Sequence, residues 1–233
     1  LNMEMLANGS IDGFIMSLSK ETQYKGDFHH ITEVISQGMP VVMFDRVTND
    51  ILCDKVIIDD QTAAYEAVQS LIDKGKRKIA LITTVDYVSV GKLRTDGYTK
   101  ALLDNDIPFD ENLIIKIEDV DTCEITISKL LEDKAIDAIF AVNELFAVTI
   151  IKMANKLGIQ VPNDLSVIAF TDGIISKYST PTITTVSQNG KKMGAKAAKI
   201  LIKRLEADDY NEGEENYVTE VISTHLIERE STN

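Results

Sequence analysis

The sequence predicts an α/β protein made of two lobes, each a parallel sheet with helices on both faces. Short apolar runs suited to strands alternate almost throughout with segments that carry apolar residues at helical spacing. Residues 137–172 show the pattern in full, with strands at 138–142 and 165–170 on either side of a helix at 145–157. One series of this length would make an unusually wide sheet, so we expect two lobes, with breaks near residues 58–59 and 187–190.

The elements of the first half follow from apolar runs and from the residues that stop helices. Gly9, Gly38 and Gly75 end three predicted helices, and Asp59-Asp60 put acidic side chains at the start of the third. The predicted order is the end of a helix at 1–7, a strand at 13–18, a helix at 28–37, strands at 41–44 and 56–58, a helix at 59–75, a strand at 78–83 and a helix through 94–102.

The second half repeats the alternation. The predicted elements are a strand at 113–117, a helix at 124–131, the strand–helix–strand stretch above, a strand at 183–186, an amphipathic helix at 193–205, an acidic loop at 206–216 and a strand at 217–223. We expect Ile125, Ile127 and Leu130 to face inward. The polar tail after Leu226 is expected to be frayed.

Composition excludes several classes of protein. A formal charge of −13 argues against direct binding to a phosphate backbone, and no apolar run is long enough to cross a bilayer. The chain has neither a glycine-rich phosphate loop nor a serine in a nucleophile elbow, and its three histidines lack metal spacing. Cys53 and Cys123 are expected to be free thiols in a reducing compartment. We therefore expect no cofactor, no metal and no catalytic residues.

Polar side chains follow several predicted strands. They are Ser17, Asp45, Asn143, Thr171 and Asp172, and Arg94 begins a helix. Ligands bind beyond the carboxyl ends of parallel strands, so these side chains would converge on one cleft if the lobes face each other by their strand ends. Carboxylates, an amide and a guanidinium suit a polyhydroxylated ligand.

Each candidate also has an ordinary structural explanation. Asp45 can form a surface ion pair with Arg46, and Asn143 can cap the helix that follows it. Arg94 can be a solvated charge on an exposed helix face. Thr171-Asp172 can belong to a turn before Gly173.

Short motifs stand in a distinctive order and spacing across nearly the whole chain. They include residues 12–15 (DGFI), 38–46 (GMPVVMFDR), 94–98 (RTDGY), 142–144 (VNE), 161–170 (VPNDLSVIAF) and 181–188 (PTITTVSQ). This series resembles the effector-binding core of the lactose/galactose repressor (LacI/GalR) family of transcriptional regulators.

The resemblance implies a periplasmic-binding-protein-like fold of type I, in which the chain crosses three times between two Rossmann-like lobes. The N-terminal lobe would comprise residues 1–58 and 189–217, and the C-terminal lobe residues 59–188 and 218–233. The family's effector site corresponds to Asp45, Arg94, Asn143 and Gln188. Its usual late aspartate falls at Thr171, so either Asp172 takes that role or the ligand requires a hydroxyl there.

The resemblance also implies what lies outside this sequence. From the resemblance we expect that the family's DNA-binding helix-turn-helix and the first strand–helix–strand of the N-terminal lobe lie outside this sequence, so that this lobe is incomplete. The chain alone is then not expected to bind operator DNA. A homodimer is implied, with contacts in the helix from Leu145 and in the segment 174–178, together with a cytoplasmic location.

The expected function is therefore to sense a small-molecule effector, a sugar or sugar derivative, for a LacI/GalR-type regulator. One alternative is a periplasmic sugar-binding protein of a transporter, which shares the fold. An enzyme that modifies sugars is the weaker alternative, because the sequence offers no catalytic set.

Overall fold

The computed structural model describes residues 3–7, 9, 11–84, 88–118, 122–133, 135–206 and 216–233. The chain divides into two compact units. The first unit contains residues 1–58, 87–90 and 189–223, and the second contains residues 59–86, 91–188 and 224–233. Within the described residues, no helix combines the length and the apolar character needed to cross a membrane.

The first unit is built on a four-stranded parallel sheet. Its strands, in spatial order, are β1 (Phe14–Met16), β2 (Val41–Phe44), β3 (Asp54–Ile58) and β9 (Thr219–Ile222). Its described helices are α1 (Met3–Ala7), α2 (Lys20–Lys25), α3 (His29–Ser36) and α9 (Gly190–Leu205). Helix α9 packs against β1, β2 and β3, and its Met193 and Ala197 are buried there.

The second unit has a six-stranded sheet. Its strands, in spatial order, are β10 (His225–Ile227), β8 (Thr184–Ser187), β7 (Ser166–Phe170), β6 (Ala138–Ala141), β4 (Ile79–Thr83) and β5 (Ile114–Lys116). All neighbours are parallel except β10, which runs antiparallel to β8. Every residue of β4, β6 and β7 is buried, as expected for parallel strands covered on both faces.

Five helices accompany this sheet. They are α4 (Asp60–Asp73), α5 (Ser89–Asp104), α6 (Cys123–Asp133), α7 (Glu144–Lys156) and the short α8 (Ile174–Tyr178). Tyr98 of α5 is fully buried, and its hydroxyl donates a hydrogen bond to the carbonyl of Ile79 at 2.8 Å. The predicted α/β class with parallel sheets is therefore confirmed.

Several expectations differ from the structure. Residues 218–223 belong to the first unit and not to the second, because β9 pairs with β3 and the carboxylate of Asp54 accepts a hydrogen bond from the Val218 backbone nitrogen. Ile125 is 64% exposed, whereas Ile127 and Leu130 are buried as predicted. Helices α2 and α8 were not anticipated. The acidic loop predicted at 206–216 falls mostly on residues 207–215, which lie outside the described part of the chain.

The polar tail also differs from the expectation, because it is packed and not frayed. Ser231 is fully buried, and its hydroxyl donates to the Val167 carbonyl at 2.6 Å and accepts from the Thr184 backbone nitrogen at 2.9 Å. The Thr232 and Thr184 hydroxyls lie 2.7 Å apart. A polar composition therefore does not indicate disorder here, since these hydroxyl groups form hydrogen bonds within the buried end of the sheet.

The close approach of α5 to α4 gives the first prediction. A Cβ atom on Gly97 would lie 2.2 Å from the Gln61 carbonyl oxygen and 2.9 Å from the Ala64 Cβ. Gly97→Ala should therefore lower the free energy of unfolding by about 1–3 kcal/mol in urea titrations, because the two helices must separate.

Gly194 provides the matched control, because it lies within α9 and an added Cβ would meet nothing within 4 Å. Gly194→Ala should raise the free energy of unfolding by up to about 1 kcal/mol through helix propensity. Equal effects of the two substitutions would show that the α4–α5 spacing does not depend on Gly97.

Candidate functional site

The carboxyl ends of β6, β7 and β8 carry a row of polar side chains in the second unit. Asn143 follows β6, Thr171 follows β7 and Gln188 follows β8. The three strands are neighbours in the sheet, so these residues lie along one edge. The Thr171 hydroxyl donates a hydrogen bond to the Gln188 side-chain oxygen at 2.8 Å, which joins two of the predicted residues directly. This row is the strand-end edge.

Asn143 caps the helix that follows it. Its side-chain oxygen accepts a hydrogen bond from the Phe146 backbone nitrogen at 2.8 Å and so caps α7. Within the described residues, its side-chain nitrogen has no acceptor, and the same holds for the side-chain nitrogen of Gln188. The strand-end edge therefore offers two amide donors without an acceptor among the described residues.

Arg94 is a buried charge and not a solvated one. Its side chain is only 7% exposed, and two of its nitrogens, Nε and Nη2, each lie 2.8 Å from the Asp60 carboxylate. Its Nη1 donates to the Val142 carbonyl at 2.9 Å, and its guanidinium carbon lies 3.8 Å from the centre of the Phe170 ring. Arg94 therefore holds the residues that immediately precede Asn143 and Thr171.

Asp172 is occupied by protein partners. Its carboxylate lies 2.5 Å from Arg229 Nη2 and 3.2 Å from Lys177 Nζ, and it accepts a hydrogen bond from the Thr185 hydroxyl. Burial by itself raises the pKa of Asp172, but hydrogen bonds from Arg229 and Lys177 outweigh it and hold the pKa below its ordinary value. These bonds direct the Asp172 carboxylate toward β8 and the tail.

The first unit contains the remaining candidates, at the ends of β1 and β2. The Ser17 hydroxyl accepts hydrogen bonds from the backbone nitrogen and the Nε of Arg46, at 3.4 and 3.3 Å. The Asp45 carboxylate lies 3.9 Å from Arg46 Nε and is about one-third exposed. Among the described residues, Asp45 therefore has only a long ion pair, and it keeps acceptor capacity at the end of its strand.

Two of the candidates have positive φ angles. Thr171 has φ of +75° and Asp45 has φ of +59°. Positive φ is unusual outside glycine and most unusual for a β-branched residue such as threonine. Such conformations persist only where their surroundings fix them, and they concentrate at binding and switch regions. The backbone therefore supports a functional role for both strand ends.

Several residues of this region were not anticipated from the sequence. Asp60 was recognised only as part of an acidic helix start, and the tail that contains Arg229 was expected to be frayed. Glu144 accepts hydrogen bonds from the Ser176 backbone nitrogen and hydroxyl at 3.2 and 3.0 Å, which holds α8 beside the start of α7. These partners are far apart in sequence, so no local pattern indicates them.

The described residues contain no group of three or more histidine, cysteine, aspartate or glutamate side chains arranged to hold a metal ion. Cys53 and Cys123 are free and buried, and burial raises the pKa of the Cys53 thiol. The strand-end edge itself presents amide and hydroxyl groups, which can form hydrogen bonds with a ligand.

Comparisons with known proteins agree with the fold. The sequence profile of the periplasmic binding protein-like domain matches residues 68–232. The HTH-type transcriptional regulator DegA of Bacillus subtilis is 33% identical over 192 residues, which cover 82% of this chain and 56% of DegA. The HTH-type transcriptional regulator MalR of Clostridium butyricum is 38% identical over 176 residues, covering 75% of this chain and 51% of MalR. The chain thus matches about half the length of these relatives.

Solved structures share the fold over nearly the whole chain. The complex of the transcriptional regulator CelR with cellobiose superposes with a TM-score of 0.84 at 27% identity, covering 98% of this chain and 68% of that one. A LacI family transcriptional regulator from Enterococcus faecium with bound ribose also gives a TM-score of 0.84, at 25% identity, covering 98% of this chain and 82% of that one.

The Asp172 ion pairs predict a pH dependence of stability. Because the pKa of Asp172 is lowered in the folded state, its contribution is present above the unfolded value of about 3.9 and is lost as the pH falls through the folded value. In urea titrations at pH 7, Asp172→Asn should lower the free energy of unfolding by about 1.5–3 kcal/mol. The difference in this free energy between the variant and the wild type should shrink below about pH 4.

Asp96→Asn is the control, because Asp96 is exposed and forms no ion pair within the described residues. Its effect should stay small across the same pH range. A pH-independent cost of Asp172→Asn would contradict the assignment of that cost to the ion pairs.

Proposed function

This chain belongs to the periplasmic binding protein-like domain family, in the form that LacI-type transcriptional regulators contain, and we propose that it senses a small-molecule effector for such a regulator. The observation that carries the proposal is the strand-end edge, where polar groups follow three adjacent parallel strands and two amide donors have no partner within the described residues. Ligands of open parallel sheets bind at such edges.

The relatives favour a regulator over the two alternatives. DegA and MalR are both HTH-type transcriptional regulators, and CelR and the Enterococcus faecium protein are transcriptional regulators as well. This supports a binding domain over an enzyme, and regulation over transport. Because a transcriptional regulator acts on DNA, the proposal includes a cytoplasmic location.

We propose that the effector is a sugar or a sugar derivative. Asn143 and Gln188 would donate through their free amide nitrogens, and the Thr171 hydroxyl would exchange hydrogen bonds with ligand hydroxyl groups. Arg94 would position Asn143 and donate where a ligand reaches it, and Asp45 remains a proposed contact of the first unit. Asp172 would act by fixing Thr171, since its own carboxylate is already paired. The ribose and cellobiose bound by the two regulators support this class of ligand.

The regulatory step requires an effector that prefers one of two conformations. Such a ligand shifts the population toward the conformation that it binds better, and the shift changes the affinity of a linked DNA-binding domain by the same coupling free energy. In this proposal, operator DNA is bound by a helix-turn-helix of the full-length regulator. The acidic chain described here contributes the sensing step.

We further propose that the domain forms a homodimer through α7 and α8. Ile174 and Tyr178 of α8 are 72% and 82% exposed, and Leu145 at the start of α7 is 40% exposed. The hydrogen bonds from Ser176 to Glu144 hold the two helices together, so we infer that these exposed apolar side chains form one patch. Apolar patches of this kind typically mark protein–protein contacts.

A thermal-shift screen against neutral sugars and sugar phosphates tests the ligand proposal. A ligand at one hundred times its Kd should stabilise the chain by about 2.7 kcal/mol. The informative variants are Asn143→Asp and Gln188→Glu, because each keeps the oxygen that accepts the protein hydrogen bond and replaces the amide donor. Each should weaken the affinity of a hit at least tenfold in calorimetric titrations.

Gln160→Glu is the matched control. It makes the same chemical change in an exposed loop that leads into the amino end of β7, at the opposite end of the strands. The affinity of Gln160→Glu for the hit should equal that of the wild type. Full affinity in both Asn143→Asp and Gln188→Glu would exclude the strand-end edge as the effector site.

Sedimentation equilibrium tests the proposed dimer. The double variant Ile174→Lys/Tyr178→Lys should dissociate at least tenfold more readily than the wild type, because two ammonium groups would have to be desolvated in the contact. Leu52→Lys/Tyr24→Lys is the control, since these residues of the first unit are 74% and 69% exposed and undergo the same change. Equal weakening in the two double variants would contradict a contact through α8.

A further inference from the structure

The first unit contains a cavity of about 330 Å³ between α9 and the strands β3 and β9. All of its described lining residues belong to this unit, so it is separate from the strand-end edge of the second unit. The volume lies at the lower end of the range for small-molecule sites. Its charged lining residues are Asp54, Lys196, Lys199, Lys203, Arg204 and Glu220.

Four of these charges are neutralised in pairs. Arg204 donates to both oxygens of the Asp54 carboxylate, at 2.7 and 2.9 Å, and Asp54 is 2% exposed. Lys196 Nζ lies 2.7 Å from the Glu220 carboxylate. The first pair is rigid and buried, whereas the second is partly exposed and can open at little cost.

Lys199 and Lys203 are the charges that remain. Within the described part of the chain, neither has a carboxylate or hydrogen-bond partner for its side chain. They are four residues apart and therefore neighbours on one face of α9, with Lys196 one turn earlier on the same face. Among the described residues, the cavity thus has two positive charges without a carboxylate partner, in a chain with a net charge of −13.

The helix dipole accounts for only part of this arrangement. Cations are favoured in the last turn of a helix, and Lys203 and Arg204 occupy the last turn of α9. Lys199 lies before that turn, where the dipole contributes little, and its repulsion with Lys203 opposes the helix. A bound anion would remove this repulsion.

We propose that this cavity binds a small phosphorylated molecule through its dianionic phosphoryl group. Lys199 and Lys203 neutralise the two charges of the group and donate charge-assisted hydrogen bonds to its oxygens. The Asp54–Arg204 pair fixes the end of α9, and Ile200 and Val218 give the remainder of the ligand an apolar contact. The concave shape favours a small molecule over an extended polyanion.

Calorimetric titration with glycerol 2-phosphate at about pH 8 tests the site. The phosphate monoester is a dianion there, because its second pKa is about 6. The wild type should bind it, and unphosphorylated glycerol at the same concentration should not bind. Lys199→Gln/Lys203→Gln should weaken the affinity at least tenfold.

Lys191→Gln/Lys192→Gln is the matched control, since it removes the same charge from exposed residues of the same helix that do not line the cavity. It should retain the wild-type affinity. Glu220→Gln should bind more tightly than the wild type, about threefold or more, because Lys196 is then released to the ligand. A gain in affinity cannot result from misfolding.

Two results would overturn the proposal. One is the absence of binding by the wild type up to millimolar glycerol 2-phosphate. The other is an equal loss of affinity in the two lysine double variants, which would indicate a diffuse effect of the charge on α9 and not a site.

Discussion

The buried ion pair between Arg94 and Asp60 organises the second unit around its strand ends. A guanidinium that is almost inaccessible to water must be paired, and removal of one partner from such a pair typically costs about 3–5 kcal/mol. This pair joins α5 to α4, and the same guanidinium bonds the end of β6 and stacks on Phe170 at the end of β7. Arg94 therefore contributes to the positions of both Asn143 and Thr171.

A separation of roles follows along this edge. Carboxylates serve the protein, since Asp60, Glu144 and Asp172 are each committed to an arginine, a serine or a lysine. The amide groups differ, because in the described residues Asn143 and Gln188 use only their side-chain oxygens for hydrogen bonds within the protein. Paired charged groups thus surround the amide groups of Asn143 and Gln188. Side chains that are already held in place lose less conformational entropy when a ligand binds.

The sequence was sufficient for the fold class and for most elements, because buried parallel strands and amphipathic helices leave local patterns. It was also sufficient to predict Asn143 and Thr171 at one edge, since topology puts the residue after each parallel strand at the same edge, whereas Gln188 was indicated only by the family resemblance. It could not reveal that Arg94 is buried, because its partner Asp60 is 34 positions away. It likewise could not assign β9 to a sheet or reveal the packed tail, whose serine and threonine resemble those of a disordered segment.

The late segments of the chain constrain when each unit can form during synthesis. The sheet of the first unit is incomplete without β9, and the sheet of the second lacks β10 and the bonds of Ser231 until residue 231 is available. Each sheet therefore gains one of its edge strands only after its other strands have been synthesised. Folding of both units thus depends on pairings between residues far apart in the sequence, which form slowly because a long loop must close first.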